Sequence, residues 1–366
     1  MFNKLSQHWQ TIQDYLFPFL EEELGAISEN HKKVASYIDF LRVYKFIPAP
    51  YRGVGRPLKD RSSLAHAFLA KAVYNFPTTN DLIEHLKCDS TLRRICGFET
   101  RSSIPSKATF SRAFSEFSQL KLAQKVHDAF VETYHSDRLI GHVSRDSSAI
   151  CSREKAVYSE KANKEESPKR KRGRPKKGEV VPPPIPTRLE RQQEMNLEEM
   201  LEDLPKVCDK GAKINSKGYK IAWTGFKIHI DTIDGDIPIS SVLTSASVHD
   251  SQVALPLSKI THGKITALYE LMDAAYDSSI IREETQSSGC IGLIDFNKRS
   301  KTDTRCFSPH EKELYKERSS AERVNGNLKD NCGGRFVRVK GHDKVFAHLG
   351  FGLLVIAVEQ TLRLLS

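Results

Sequence analysis

Residues 315–329 have the sequence YKERSSAERVNGNLK, which sets four side chains at spacings of three, four and seven residues: Tyr315, Arg318, Glu322 and Lys329. On one α-helix, at about 100° per residue, all four would share an arc of roughly 60°. An apolar stripe would lie opposite, formed by Leu314, Ala321, Val324 and Leu328. The stretch therefore predicts a helix that presents a carboxylate flanked by two cations and a phenol. Such a face suits metal-dependent phosphate chemistry and is also typical of a solvated surface.

Two aspartates upstream are predicted to stand at the ends of strands. The run from Leu139 to Ser144 has apolar alternation and β-branched character, which predicts a strand with Asp146 at its end. A second apolar run ends at Asp273, and a helix-like stretch follows it. Because α/β folds place metal and ligand groups at the carboxyl ends of strands, both aspartates are candidate site residues. Either one alone is more typical of a turn or a helix cap, and only the two together with the helix signature indicate a metal site.

The spacing of Tyr, Arg, Glu and Lys closely resembles the signature of a large group of bacterial insertion-sequence transposases. These are DDE-type enzymes with a ribonuclease H-like catalytic domain. Their second motif is an aspartate followed by a small residue and a tyrosine, and this chain supplies Asp273, Ala275 and Tyr276. Many members have glycine where Ala275 stands, which is a mild departure. The resemblance covers roughly residues 139–345 and extends, less specifically, to the N-terminal region.

The resemblance implies a catalytic triad that binds two Mg²⁺ or Mn²⁺ ions, formed by Asp146, Asp273 and Glu322. All-oxygen donor sets favour such hard cations. It further implies that three side chains of the signature hold phosphates or the DNA strand beside the cut: Tyr315, Arg318 and Lys329. The implied reaction is hydrolysis at the element's end, followed by attack of the new 3′-hydroxyl on target DNA.

The stretch between the two aspartates predicts a hairpin and a helix. Apolar residues alternate with polar ones over 226–231, Asp234-Gly235 is a strong turn dipeptide, and 237–244 form the returning strand. Residues 289–296 predict a further strand. The expected fold class is therefore an α/β ribonuclease H-like catalytic domain, a mixed sheet flanked by helices, over residues 136–366.

Residues 1–135 are predicted to form an all-helical N-terminal domain, in which residues 79–98 give two short helices broken near Asp89-Ser90. Short helices after Pro105 would carry Lys107 and Arg112 on a polar face, which resembles a helix-turn-helix DNA reader. A plain helical bundle or a dimerisation module would give the same pattern. The GVGRP lead-in at residues 53–57 resembles the N-terminal domain common in this transposase group.

A basic, Pro-rich insertion is predicted at residues 152–215, disordered at least to about residue 187. Seven of the eleven residues in PKRKRGRPKKG, 168–178, are Lys or Arg. Its core, with Arg172 and Arg174, resembles an AT-hook that enters a narrow A·T minor groove. A non-specific phosphate-binding tail is an equal alternative.

Composition agrees with a polyanionic partner. The formal net charge is +10, and the seven cysteines are scattered without a CxxC pair, which argues against a disulfide framework or a zinc site. The longest uncharged apolar run, 345–358, is too short to span a membrane and predicts a buried helix. No signal peptide is predicted, so a cytoplasmic protein without membrane contact is expected.

The predicted function is an insertion-sequence transposase that binds element ends and catalyses metal-dependent strand cleavage and strand transfer. Its partner would be double-stranded DNA, both terminal inverted repeats and target, with a homodimer in the synapse. One alternative is a domesticated, transposase-derived DNA-binding protein without catalysis. The other is a stand-alone metal-dependent nuclease.

Overall fold

A computed structural model describes residues 2–49, 59–157, 186–214, 218–296 and 306–365. The first 135 residues are helical where described, as predicted. Their α-helices are α1 (Phe2–Thr11), α2 (Phe17–Leu24), α3 (Glu29–Leu41), α4 (Arg61–Val73), α5 (Thr79–Cys88), α6 (Ser90–Ile95), α7 (Lys107–Gln119) and α8 (Leu122–His135). A π-helical turn, Ile12–Leu16, joins α1 to α2. The GVGRP lead-in lies outside the described residues.

Short polar residues set the ends of these helices. Asp60 accepts hydrogen bonds from the backbone N–H groups of Ser62 and Ser63 at the start of α4. Asp89 accepts from the Leu92 N–H at 2.8 Å and starts α6, which confirms the predicted break between α5 and α6. Each cap satisfies N–H groups that have no partner within the helix.

The remainder of the chain forms a mixed sheet with further helices. Its strands are β1 (Leu139–Ser152), β2 (Asp209–Ile214), β3 (Lys220–Ile233), β4 (Ile237–Ser245), β5 (Thr266–Met272), β6 (Ile291–Ile294) and β7 (Phe336–Val337). Its helices are α9 (Arg188–Gln192), α10 (Leu197–Asp203), α11 (Ala254–His262), α12 (Ser279–Ser287), α13 (Pro309–Tyr315), α14 (Ser319–Asn331) and α15 (His342–Arg363).

The order of the strands agrees with the predicted ribonuclease H-like topology. β1 is central, antiparallel to β3 on one side and parallel to β5 on the other, and β6 continues the parallel side. β3 and β4 form the predicted hairpin around Asp234-Gly235, where Gly235 has a φ of 85°. Because β1, β5 and β6 run parallel, their carboxyl ends lie at the same edge of the sheet.

Part of the predicted insertion at 152–215 belongs to the folded domain. α9, α10 and β2 lie within it, and β2 pairs antiparallel with the first half of β3. The prediction missed this strand because its exposed edge position leaves little apolar pattern to recognise. The basic run at 168–178, with Arg172 and Arg174, lies outside the described residues.

One hydrophobic core joins the N-terminal helices to the sheet. The helix α15 packs against α4, α7, α8 and β4, and Phe351 on it stacks near Phe68 of α4, with ring centroids 6.1 Å apart. α15 is long and apolar enough to cross a membrane, but 78% of its most apolar window is buried within the protein. It is therefore the buried core helix that the sequence predicted for 345–358.

A buried ionic cluster fixes β1 against both of its long neighbours. The fully buried Arg145 donates to both carboxylate oxygens of Asp231 on β3, at 2.8 and 2.7 Å, and lies 3.4 Å from Glu270 on β5. Glu270 also accepts from Thr285 and pairs with His262. Because a one-residue slip of β1 would separate the buried charges of Arg145 and Asp231 and take one of its two cations from Glu270, this cluster specifies the register of the sheet.

Candidate active site

The signature stretch is not one continuous α-helix, so that part of the prediction is wrong, although Arg318 contacts both Tyr315 and Glu322. α13 ends at Tyr315, a 3₁₀ turn covers Lys316–Arg318, and α14 begins at Ser319. The Ser144 hydroxyl on β1 donates to the Glu317 carbonyl at 2.9 Å and holds this turn against the sheet. Sequence spacing could not show the break, because every residue in the turn is compatible with a helix.

Asp146 and Asp273 lie side by side on neighbouring strands. The parallel register pairs Ser144 with Leu271, so the two aspartates stand two residues farther along β1 and β5. Asp273 follows β5, as predicted. Asp146 does not end its strand, because β1 continues to Ser152 along its antiparallel partner β3. It lies instead where the parallel pairing with β5 stops.

The third acid is carried to this point by α14. Asn325 on α14 donates to Asp146 at 3.1 Å, and Glu322 lies three residues earlier on the same helix. Residues three apart on a helix are neighbours on its surface, so Glu322 faces the same region as Asn325. Glu322 is exposed and forms an ion pair with Arg318.

Arg318 is a cation that interacts electrostatically with all three acids. Burial works against its guanidinium, yet the pKa of Arg318 is raised, because Tyr315, Glu322 and Asp146 together outweigh that burial. Arg318 also interacts with Asp273 and opposes the rise of that residue's pKa. A single cation therefore balances carboxylates that come from β1, β5 and α14.

Both strand aspartates are held in an environment that disfavours their charge. Burial, together with the like charges of Asp273 and Asp250, raises the pKa of Asp146 to about 6. Burial likewise raises the pKa of Asp273, with Asp250 and Asp295 contributing in the same direction. Crowded carboxylates with raised pKa values are characteristic of sites that bind cations.

Asp250 is a fourth carboxyl group at the site, and sequence reasoning missed it. Burial alone would raise its pKa, but His229, Lys227 and the Ser147 side chain lower it. Lys227 on β3 contacts Asp250 at 3.0 Å. Its position in the sequence could have identified it, since Asp250 follows β4 closely, as Asp273 follows β5. The neighbouring His249 caps the 3₁₀ turn that starts at Asp250.

Tyr315 and Lys329, the other two signature residues, have different neighbours in the structure. The Tyr315 hydroxyl donates to the Met272 carbonyl at 3.1 Å and so anchors α13 to the end of β5, beside Asp273. Lys329 lies near the far end of α14. Burial and the nearby Lys213 lower its pKa. The structure thus brings Tyr315 and Arg318 to the three acids and sets Lys329 farther along the same helix as Glu322.

The donor set suits a hard divalent cation. Carboxylates on β1, after β5 and on α14 interact with the guanidinium of Arg318, which supplies positive charge where a metal cation would otherwise be needed. Within the described part of the chain, no three His, Cys, Asp or Glu side chains are arranged to hold a metal ion as they stand. The reason is visible in the contacts, since Glu322 is turned to Arg318. Metal binding would require Glu322 to exchange that partner.

The predicted DNA-reading residues of α7 lie on its exposed side. Lys107 is the first residue of the helix, Ser106 takes the capping position, and Arg112 follows on the same solvent-facing surface. All seven cysteines are free thiols in the structure.

Two family models match the chain, over residues 22–116 (Transposase domain, DUF772) and 202–358 (Transposase DDE domain). The second match contains Asp250, Asp273 and Glu322, whereas Asp146 precedes it and is placed by the sheet register. No curated protein and no solved structure matches the chain. The two matches support a DDE-type transposase, and the DDE domain implies the ribonuclease H-like fold, with which the mixed sheet agrees.

Proposed function

We propose that this chain, a DDE-type transposase by its two domain matches, is the transposase of a bacterial insertion sequence with the Tyr-Arg-Glu-Lys signature. It would act in the cytoplasm, bind the element's ends, cleave them and transfer the strand to target DNA. The observation that carries the proposal is the convergence of Asp146, Asp273 and Glu322 on one cation, Arg318.

Asp146, Asp273 and Glu322 would hold two Mg²⁺ or Mn²⁺ ions, which supply activation of the attacking oxygen and charge stabilisation at the leaving oxygen. Asn325 orients the Asp146 carboxylate through its 3.1 Å hydrogen bond. Tyr315 keeps the segment that carries Asp273 in place through the Met272 carbonyl. These contacts fix the carboxylates before DNA arrives, so less ordering remains for the reaction itself.

Arg318 has a second role once Glu322 turns away from it. Its planar guanidinium can then donate two parallel hydrogen bonds to a phosphate beside the cut. Lys329, two helical turns beyond Glu322, is suited to the next phosphate of the same strand and not to the metal site. Tyr315 lies near enough to contact the flanking strand, since it borders Arg318, with 6.0 Å between the guanidinium carbon and the ring centroid.

Recognition of the element's terminal repeats would fall to the N-terminal helices, with Lys107 and Arg112 on α7, and to the basic run with Arg172 and Arg174. The net charge of +10 favours association with DNA. Pairing of two ends requires at least a homodimer on DNA. A DNA-binding protein without catalysis would need none of the three acids, and a simple nuclease would need no end-recognition region.

The test is cleavage of a duplex that carries the host element's terminal repeat, in Mg²⁺. Asp146→Asn, Asp273→Asn and Glu322→Gln should each reduce cleavage at least a thousandfold and leave end binding within about threefold of wild type. Glu283→Gln removes an exposed carboxylate on α12 and serves as the control. A triad variant that cleaves at the control's rate would remove that residue from the site.

A further inference from the structure

A cationic cleft lies between the N-terminal helices and the segment that joins α14 to α15. It encloses about 410 Å³, and its described lining contains no acidic residue. Six cations line it: Lys71, Lys107, Arg153, Arg338, Lys340 and Lys344. They come from α4, α7, the end of β1, the segment after β7 and the first turn of α15. Distant parts of the chain are thus folded together to concentrate positive charge.

Within the described ranges of the chain, these six cations form no ion pair with a carboxylate. Among the described residues, none of them has an Asp or Glu oxygen within 4.0 Å, whereas the nearby Arg335 pairs with Asp330. Like charges placed together without counterions repel one another, and this lowers the stability of the free protein. The arrangement is therefore best explained by an anion that binds here and supplies the missing charge.

Lys71 distinguishes the cleft from an ordinary charged surface, because this cation is buried. Lys71 is only 9% exposed to solvent. Burial lowers its pKa to about 8, and the charge of Asp81 on α5 only partly opposes this shift. A buried ammonium without a carboxylate is unfavourable in the free protein. The adjacent His348 does not add charge, because burial and Lys71 lower its pKa to about 3. Lys71 is therefore a buried charge at the cleft wall that contacts no carboxylate among the residues that the structure describes.

The polar groups around Lys71 suit phosphate oxygens. Thr78, Thr79 and Asn80 at the start of α5 line the cleft, although the carboxylate of Asp81 caps that helix by accepting from the Thr78 N–H. α7 starts in the cleft with Lys107, and its N-terminus carries partial positive charge that favours phosphate groups. Arg153 and Arg338 lie together, since the Arg153 N–H donates to the Val337 carbonyl at 3.2 Å.

We propose that this cleft binds a backbone phosphate of the element-end DNA, away from the site of cleavage. The proposal rests on the transposase function proposed above. Arg153 follows the catalytic Asp146 by seven residues along the same strand, a distance of roughly 23 Å. At about 3.4 Å per base pair, this spacing places the bound phosphate about seven base pairs from the cut. A phosphate held in the cleft would thus determine which position of the DNA end lies at the three acids.

The test measures end-DNA binding in a chelator, where cleavage plays no part. Arg338→Ala with Lys340→Ala removes two exposed cations of the cleft, and Lys4→Ala with Lys125→Ala removes two exposed cations elsewhere. The cleft pair should weaken binding roughly tenfold at physiological salt and lower the slope of log K against log salt by about two. The control pair should change binding less than twofold. Equal losses for both pairs would overturn the proposal, since the charge would then act diffusely.

Lys71→Met tests the buried charge separately. It should weaken DNA binding while leaving the melting temperature of the free protein equal or higher, because it removes an unpaired buried charge. Unchanged DNA binding by Lys71→Met would contradict the proposal. Stabilisation of the wild type by inorganic phosphate, with no loss of DNA affinity in either cleft variant, would assign the cleft to a small phosphate ligand and overturn the DNA assignment. If these variants lose DNA affinity but wild type never cleaves, the cleft stands and the proposed function fails.

Discussion

Replacement of Asp146 by Asn should stabilise the metal-free protein at neutral pH. The pKa of Asp146 rises from its ordinary value of 3.8 to about 6 through burial and two neighbouring carboxylates. Since one pKa unit corresponds to about 1.4 kcal/mol, ionisation of Asp146 at pH 7.5 reduces the free energy of unfolding by roughly 3 kcal/mol. The Asn amide is neutral and can still accept the hydrogen bond from Asn325. Asp146→Asn should therefore recover up to about 3 kcal/mol.

The effect has a defined pH window. A carboxyl group whose pKa is raised in the folded protein has no effect below its unfolded pKa of about 3.8, where both states hold the proton. The destabilisation grows as pH rises and is complete above about 6. At pH 5 the advantage of Asp146→Asn should be roughly half of its value at pH 7.5.

The assay is urea unfolding in a chelator at pH 4, 5 and 7.5, with Glu283→Gln as the exposed control. Addition of Mn²⁺ at pH 7.5 should stabilise wild type and leave Asp146→Asn unchanged, because a cation compensates the carboxylate charge only where that charge exists. An Asp146→Asn variant that is no more stable than wild type in the chelator at pH 7.5 would refute this account of the site.

Four further outcomes are expected. Arg145→Ala should lower the free energy of unfolding by about 3–5 kcal/mol, since it leaves Asp231 buried without its cation and leaves Glu270 with His262 alone; unfolding that matches wild type would exclude the cluster as a stabilising element. Asp250→Asn should raise the Mg²⁺ concentration required for cleavage, which a metal titration measures. Lys329→Ala should raise the DNA concentration needed for cleavage at an unchanged metal requirement, whereas Glu322→Asp should shift the metal requirement with partial recovery in Mn²⁺; equal metal shifts in both variants would contradict this division. Deletion of residues 168–178 should weaken DNA binding and flatten its salt dependence without lowering the melting temperature.

Much of the fold follows from local patterns in the sequence. The alternation over 226–231 and the Asp234-Gly235 turn predicted the β3–β4 hairpin, and Asp89 predicted the break between α5 and α6. These features depend on neighbouring residues, so a single sequence contains them. The small strand β2 depends instead on pairing with β3, which is fixed by tertiary contacts.

The candidate site shows the same division. The order of the acids predicted that Asp146, Asp273 and Glu322 would converge, and the structure brings Asp146 and Asp273 side by side with α14 across them. The 3₁₀ turn at Lys316–Arg318 escaped prediction because Ser144, distant in sequence, holds it. Asp250 escaped because its partners, Lys227 and His229, come from another strand. Side-chain partners across a sheet leave no local periodicity.

The central claim is that Asp146, Asp273 and Glu322 form one site for two divalent ions. The most direct test is Mn²⁺ binding to the complex with element-end DNA, measured by electron paramagnetic resonance. Wild type should show a spin-coupled pair of ions, as two metals about 3.5–4 Å apart require. Asp146→Asn, Asp273→Asn and Glu322→Gln should each lose the coupled signal, while Glu283→Gln retains it. A triad variant that keeps the coupled pair would contradict the claim.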